Sequence, residues 1–202
     1  MIGVVAALAA TVGDLLLLAT SNATRPGFEW LGPPSERVLL IGTYLGVLAI
    51  PCYGLGYRAV AAHVDPPYRR WITALGVAGG VLGGTTHGLT GLVIHVEQSG
   101  GAGVDPVTLL GRYGAYLLPL WAAIGVGSLA GSIAYAAALL AGRSRLPRGL
   151  ALVNPLTLTV AIALAGATTA LGRAFVVPAA PNLAHVVFFG VIATVGRPAT
   201  VR

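Results

Sequence analysis

The chain has 202 residues, of which 56% are hydrophobic and only 9% charged, and its mean hydropathy is +0.84. Soluble domains carry about 25% charged residues, so this composition excludes a soluble globular protein and indicates an integral membrane protein. The net charge of +6 comes from arginines that lie between apolar segments, which marks membrane topology rather than nucleic-acid binding. The single cysteine excludes an internal disulfide.

Six apolar stretches follow one another along the chain. A membrane-spanning helix needs about 20 mostly apolar residues, and the last stretch is short by that measure. The sequence therefore predicts an all-α, polytopic membrane bundle that forms a single transmembrane domain over residues 1–202. Its predicted spans are residues 2–20, 37–63, 71–97, 112–142, 150–171 and 182–197.

The connections between these spans alternate in charge. Residues 65–70 and 143–149 are short and rich in arginine, whereas residues 21–36, 99–105 and 172–182 are longer or rich in glycine and proline. The positive-inside rule places the arginine-rich connections and the C-terminal tail in the cytoplasm, so both termini are predicted to be cytoplasmic. The absence of lysine and the abundance of alanine, glycine, valine and leucine favour a bacterial source, and hence the cell (inner) membrane.

Glycines recur in the third and fourth predicted spans. Gly76, Gly80, Gly84 and Gly88 are four residues apart and form one stripe on the third helix. Small residues allow helix backbones to approach closely in lipid, so the stripe predicts a helix-packing surface. Gly127 and Gly131 in the fourth span predict a second one.

Ionisable side chains within apolar spans are costly and usually face the bundle interior or water. Asp14, His87, His95 and His185 are all predicted to lie in the outer half of the membrane. His87 and His95 share one broad face of the third helix. Glu97 falls about 200° from His95 around an ideal helix and is predicted to lie near water.

A carboxylate and histidines at one depth could carry out general acid–base chemistry. The sequence thus predicts a small membrane enzyme that isomerises, cyclises or hydrolyses an apolar lipid- or isoprenoid-like molecule. The predicted catalytic residues are Asp14, His87 and His185, and the predicted substrate-binding residues are Tyr44, His95, Tyr116 and Arg112. Membrane lipids and the substrate are the expected partners, with self-association into a homo-oligomer and no nucleic acid.

Two other functions fit the same residues. Intramembrane Asp and His are natural proton-relay groups, which favours a proton-coupled transporter. His95 and His185 could instead ligate haem b from two helices, or border a quinone site. Three histidines and an aspartate would also suffice for a catalytic zinc ion. Tyr53 and Tyr57, one helical turn apart, are interpreted as packing residues.

Overall fold

A computed structural model describes residues 1–19, 35–99 and 106–196. This part of the chain is all helical, without a β-strand. Its seven α-helices are α1 (Ile2–Asp14), α2 (Glu36–Ala49), α3 (Tyr53–Ala61), α4 (Tyr68–Ser99), α5 (Pro106–Leu140), α6 (Pro155–Ala167) and α7 (Val177–Val195). Helices α2 and α3 are joined by a 3-10 turn and follow each other along one rod, so six helical segments correspond to the six predicted spans.

The helical structure of the described residues confirms the all-α prediction. Among these residues, four helices are long and apolar enough to cross a membrane: Glu36–Ala61, Tyr68–Ser99, Gly111–Leu140 and Gly172–Val195. The segments at Ile2–Leu18 and Pro155–Ala167 are shorter apolar helices. The sixth segment was predicted too short, because residues 172–182 were assigned to a connection. They are helical, starting with a π-helical turn at Gly172–Val176 that leads into α7.

Two prolines lie where helices can accommodate a missing N–H donor, whereas Pro119 and Pro181 lie inside α5 and α7. Pro51 occupies the 3-10 turn Ile50–Cys52 between α2 and α3, and Pro155 is the first residue of α6. The first turn of a helix has free N–H groups in any case, so proline is tolerated there. Asn154 caps α6 by accepting a hydrogen bond from the backbone N–H of Thr157 at 3.1 Å.

The glycine stripe of α4 packs against α2 and α3, as its spacing predicts. A Cβ atom added at Gly80 would lie 3.0 Å from the carbonyl oxygen of Ile50, and one added at Gly84 would lie 2.9 Å from the Pro51 ring. The glycines of α5 behave differently. A Cβ at Gly127 would meet no atom within 4 Å, and one at Gly131 would make only an ordinary contact with Leu75. The prediction of a packing surface is therefore correct for α4 and wrong for α5.

The two arginine-rich connections meet at one end of the bundle. The backbone N–H of Arg145 donates to the carbonyl oxygen of His63 at 2.9 Å, and that of Asp65 donates to Arg143 at 2.9 Å. The Ser144 hydroxyl also donates to the His63 carbonyl oxygen, at 3.0 Å. Residues 65–70 and 143–149 thus lie at the same end of the bundle, as their shared positive charge predicts. The C-terminal arginines, 197 and 202, and the connection at 21–34 lie outside the described residues.

Candidate functional site

A cavity of about 260 Å³ lies inside the bundle, bordered by side chains from α1 and from α3 to α7. Three residues singled out in the sequence line it together: Asp14 from α1, His87 from α4 and His185 from α7. Tyr53, Tyr57 and Asn182 also line the cavity, and together with these three residues they form what we call its polar wall. The rest of the lining is mostly apolar or glycine and includes Ile50, Ile72, Leu75, Gly79, Gly125 and Ile124.

Asp14 and His87 form a buried pair. Only 5% of Asp14 and 7% of His87 is exposed, and the Asp14 Oδ1 atom lies 3.4 Å from the His87 Nδ1 atom. On the other side of the ring, His87 Nε2 lies 3.0 Å from the carbonyl oxygen of Gly42. A carbonyl oxygen only accepts, so Nε2 must carry a proton and donate it. A hydrogen bond between Nδ1 and the carboxylate therefore needs one further proton, which either His87 or Asp14 can carry.

Helix α2 has no side chain where the His87 ring lies. A Cβ atom added at Gly46 would overlap the ring, so glycine at this position makes room for the imidazole. The neighbouring Gly42, one turn earlier, supplies the carbonyl that holds Nε2. The sequence of α2 thus fixes the orientation of a histidine on α4.

Asn182 holds the other oxygen of the carboxylate. Its Nδ2 atom donates to Asp14 Oδ2 at 2.6 Å, and its Oδ1 atom accepts from the Tyr53 hydroxyl at 2.6 Å. Both residues were missed in the sequence. Tyr53 was interpreted as packing, and Asn182 was assigned to a connection because Pro178 and Pro181 precede it. Asn182 lies three residues before His185 on the same helix, and this spacing on one face could have indicated it.

His185 forms a second hydrogen-bonded unit on the same wall. Its Nδ1 atom lies 2.7 Å from the Pro181 carbonyl oxygen and must donate to it. In the neutral ring Nε2 then accepts, from the Tyr57 hydroxyl at 2.9 Å. The His185 ring also stacks on Tyr53 with ring centroids 4.5 Å apart. His185 thus contacts Tyr53, whose hydroxyl bonds Asn182, and so reaches Asp14 through two intermediaries.

The four predicted substrate-binding residues lie away from the cavity. Tyr44 and Tyr116 are 61% and 74% exposed, on the outer faces of α2 and α5. His95 is half-buried on α4, and it is not among the described residues that line the cavity. Arg112 instead bonds Glu97: its Nη1 atom donates to both carboxylate oxygens, at 3.1 and 3.0 Å.

Glu97 lies near the end of α4, beside the largely exposed Arg112, but its own side chain is covered. Its side chain is 6% exposed, and the Tyr113 hydroxyl adds a third hydrogen bond, to Oε1 at 2.7 Å. The helical angle that separates Glu97 from His95 turns the carboxylate toward α5, where Arg112 and Tyr113 stand. These three residues link the ends of α4 and α5.

A metal ion or haem finds few free ligand atoms in this arrangement. The described ranges contain no group of three or more His, Cys, Asp or Glu side chains that could hold a metal ion. Both ring nitrogens of His87 and of His185 are already engaged with protein groups. His95, the second predicted haem ligand, is not on the cavity wall that carries His185. The residues present therefore do not fit the predicted zinc or haem sites.

These features define an all-helical bundle with membrane-length apolar helices and a partly polar cavity among them. The chain belongs to the family of unknown function DUF6796, whose profile matches residues 1–196. No curated protein and no solved structure matches it significantly.

Proposed function

We propose that the chain is an integral membrane enzyme that carries out acid–base chemistry on an apolar, lipid- or isoprenoid-like molecule bound in the cavity. The observation that carries this proposal is the buried Asp14–His87 pair, whose Oδ1 and Nδ1 atoms lie 3.4 Å apart at the wall of an otherwise largely apolar space. Isomerisation, cyclisation or hydrolysis would each use such a pair. Positioned general acids and bases contribute roughly 10²- to 10⁴-fold to a rate.

The surrounding hydrogen bonds suit this role. Asn182 fixes one carboxylate oxygen and leaves the other, Oδ1, beside His87 Nδ1. The Gly42 carbonyl fixes the ring from behind, so the proton that can move is the one between the two side chains. In this proposal Asp14 and His87 exchange a proton with the substrate, while Asn182, Tyr53 and His185 position them.

The route into the cavity favours a substrate that arrives from the lipid. Trp121 and Gly125 line the cavity and are also exposed. Both lie near the middle of α5, where a membrane-spanning helix faces hydrocarbon. An apolar molecule dissolved in the bilayer would therefore reach Asp14 sideways, past α5, without crossing water.

The membrane arrangement is part of the same proposal. With all six helical segments inserted, the two arginine-rich connections face the cytoplasm, together with both termini, in a bacterial inner membrane. The meeting of residues 65–70 and 143–149 at one end of the bundle supports this orientation. The polar wall then belongs to the outer half of the membrane.

The two alternatives have less support. A proton-coupled transporter would have to open its site to water on alternate sides, whereas the exposed lining residues that support access here lie at mid-helix. For haem, the engaged nitrogens of His185 argue against ligation. A quinone would fit the apolar walls, but no hydrogen-bond donor is left unused at either histidine ring.

The test compares lipid products. Purified protein in lipid nanodiscs is incubated with a bacterial lipid extract, and products are followed by untargeted mass spectrometry. Asp14→Asn and His87→Ala should lose a product that the wild type forms, while Asp65→Asn and His63→Ala, at the arginine-rich end, should retain it. Equal products from all five proteins would refute the proposal.

A further inference from the structure

The polar wall of the cavity presents mainly hydrogen-bond acceptors. We infer that the molecule bound there carries a hydrogen-bond donor at its polar end, as a long-chain alcohol or amine does, and is not a fatty acid or another anion. This inference rests on the proposed function, because it describes the substrate of that same site. The argument for a donor starts from the hydrogen bonds in which the protons of the lining side chains are already engaged.

The two threonines of α4 that line the cavity have no proton to offer. The Thr86 hydroxyl donates to the Leu82 carbonyl oxygen and the Thr90 hydroxyl to that of Thr86, each at 2.8 Å. A hydroxyl has one proton and two lone pairs, so each oxygen remains an acceptor. Thr159 on α6 repeats the pattern, donating to the Pro155 carbonyl oxygen at 2.6 Å.

Asp14 adds the strongest acceptor. Its Oδ2 atom takes one hydrogen bond from Asn182, and a carboxylate oxygen can accept two. On the donor side, the lining retains the second N–H of Asn182, the hydroxyl of Ser128 and the indole N–H of Trp121, against the oxygens of three threonines, two tyrosines and Asp14. Acceptors thus dominate. A carboxylate ligand offers only acceptors, so its oxygens and those of the wall would be left without donors in a largely apolar space.

The size of the cavity indicates how such a molecule lies. Pockets that enclose a drug-sized ligand measure about 300–1,000 Å³, and this one is smaller, at about 260 Å³. It can hold the polar end and the first part of an alkyl or isoprenoid chain. The remainder would pass Trp121 and Gly125 into the bilayer beside α5.

Trp121 supplies a local probe. The chain has three tryptophans, at 30, 71 and 121, so replacing Trp30 and Trp71 by phenylalanine leaves only the one on the cavity wall. The ligands are a bromine-labelled long-chain alcohol, its methyl ether, the amine and the carboxylic acid, all with the same chain. A bound bromine quenches tryptophan fluorescence. A protein with Trp71 alone, which is exposed and outside the cavity, reports partition into the bilayer for each ligand.

We expect saturable quenching of Trp121 by the alcohol at about a tenfold lower concentration than by the ether, because one hydrogen bond to such a group contributes about 1.4 kcal/mol. The acid should bind no better than the ether. The quenching of Trp121 is corrected for partition into the bilayer, as measured at Trp71. If the amine then quenches Trp121 at lower concentration than the alcohol, the ligand is assigned to the amines. Thr90→Val should reduce the preference for the donor. Thr85→Val should not, because Thr85 bonds the Val81 carbonyl in the same way but is exposed and outside the cavity.

Three results would overturn the inference: equal quenching by alcohol and ether, tighter binding of the acid, or no saturable quenching of Trp121 by any ligand. The proposed function has its own, separate readout. If alcohol and ether bind equally while Asp14→Asn still abolishes the lipid product, only the inference about the donor fails. If the alcohol is preferred but Asp14→Asn forms the product normally, the enzymatic proposal fails and the binding site stands.

Discussion

Leucine at position 127 should close the cavity without disturbing the fold. Gly127 lies on α5, lines the cavity, and has no atom within 4 Å of the place where a Cβ would be. A larger side chain there would extend into empty space. Glycine within a helix costs roughly 0.5–1 kcal/mol relative to alanine, so the substitution should leave stability unchanged or slightly higher.

The volumes decide the expected effect on activity. A leucine side chain has four carbon groups, each near the volume of a water molecule, and would fill roughly 120 Å³. That is close to half of the approximately 260 Å³ cavity. A substrate that needs the whole cavity to reach Asp14 would be excluded, so we expect product formation to fall by more than tenfold while the melting temperature holds.

Gly190→Leu is the matched control. Gly190 is also half-buried in a long apolar helix and also has open space at its Cβ position, but it is not among the cavity-lining residues. The assay is product formation in nanodiscs, with thermal unfolding of each variant measured in parallel. Full activity of a folded Gly127→Leu protein would refute the assignment of this cavity as the substrate site.

Two further predictions concern the residues around the site. Gly46→Ala should displace the His87 ring and lower the free energy of unfolding by about 1–3 kcal/mol, as overpacking does. Gly79→Ala, with open space at its Cβ, should be tolerated in the same denaturation assay. Equal stability of the two variants would contradict the packing described for α2. Arg112→Gln should lower the melting temperature because it removes two hydrogen bonds from Glu97, and it should leave the product unchanged, so that a loss of product without a loss of stability would return Arg112 to the substrate site.

The sequence could predict position along a helix better than direction around it. Asp14, His87 and His185 were grouped by their distance along their spans, and the structure places all three at one cavity. Tyr44 and Tyr116 were grouped by the same criterion, yet they point outward. Helical periodicity relates residues on one helix, but it gives no angle between residues on different helices.

The site residues that the sequence did not indicate show a second limit of prediction from sequence. Asn182 belongs to the site but follows two prolines, which are typical of connections, so the last span was predicted to begin five residues after the start of α7 at Val177. Tyrosine in an apolar span usually serves in packing, and only the hydrogen bond from Tyr53 to Asn182 reveals its place in the site. The glycines show the same limit. The spacing of Gly127 and Gly131 resembles that of the α4 stripe, and only the position of neighbouring helices separates a packing contact from a cavity wall.

The most direct test of the central claim is a double-variant experiment on the Asp14–His87 pair. Product formation is measured in nanodiscs for Asp14→Asn, His87→Gln and the combined variant, with folding checked by thermal unfolding. If the two side chains share one proton and act as a unit, each single variant should lose about 100-fold or more and the combined variant little beyond that. Losses that multiply in the combined variant, or wild-type activity in either folded single variant, would contradict the account.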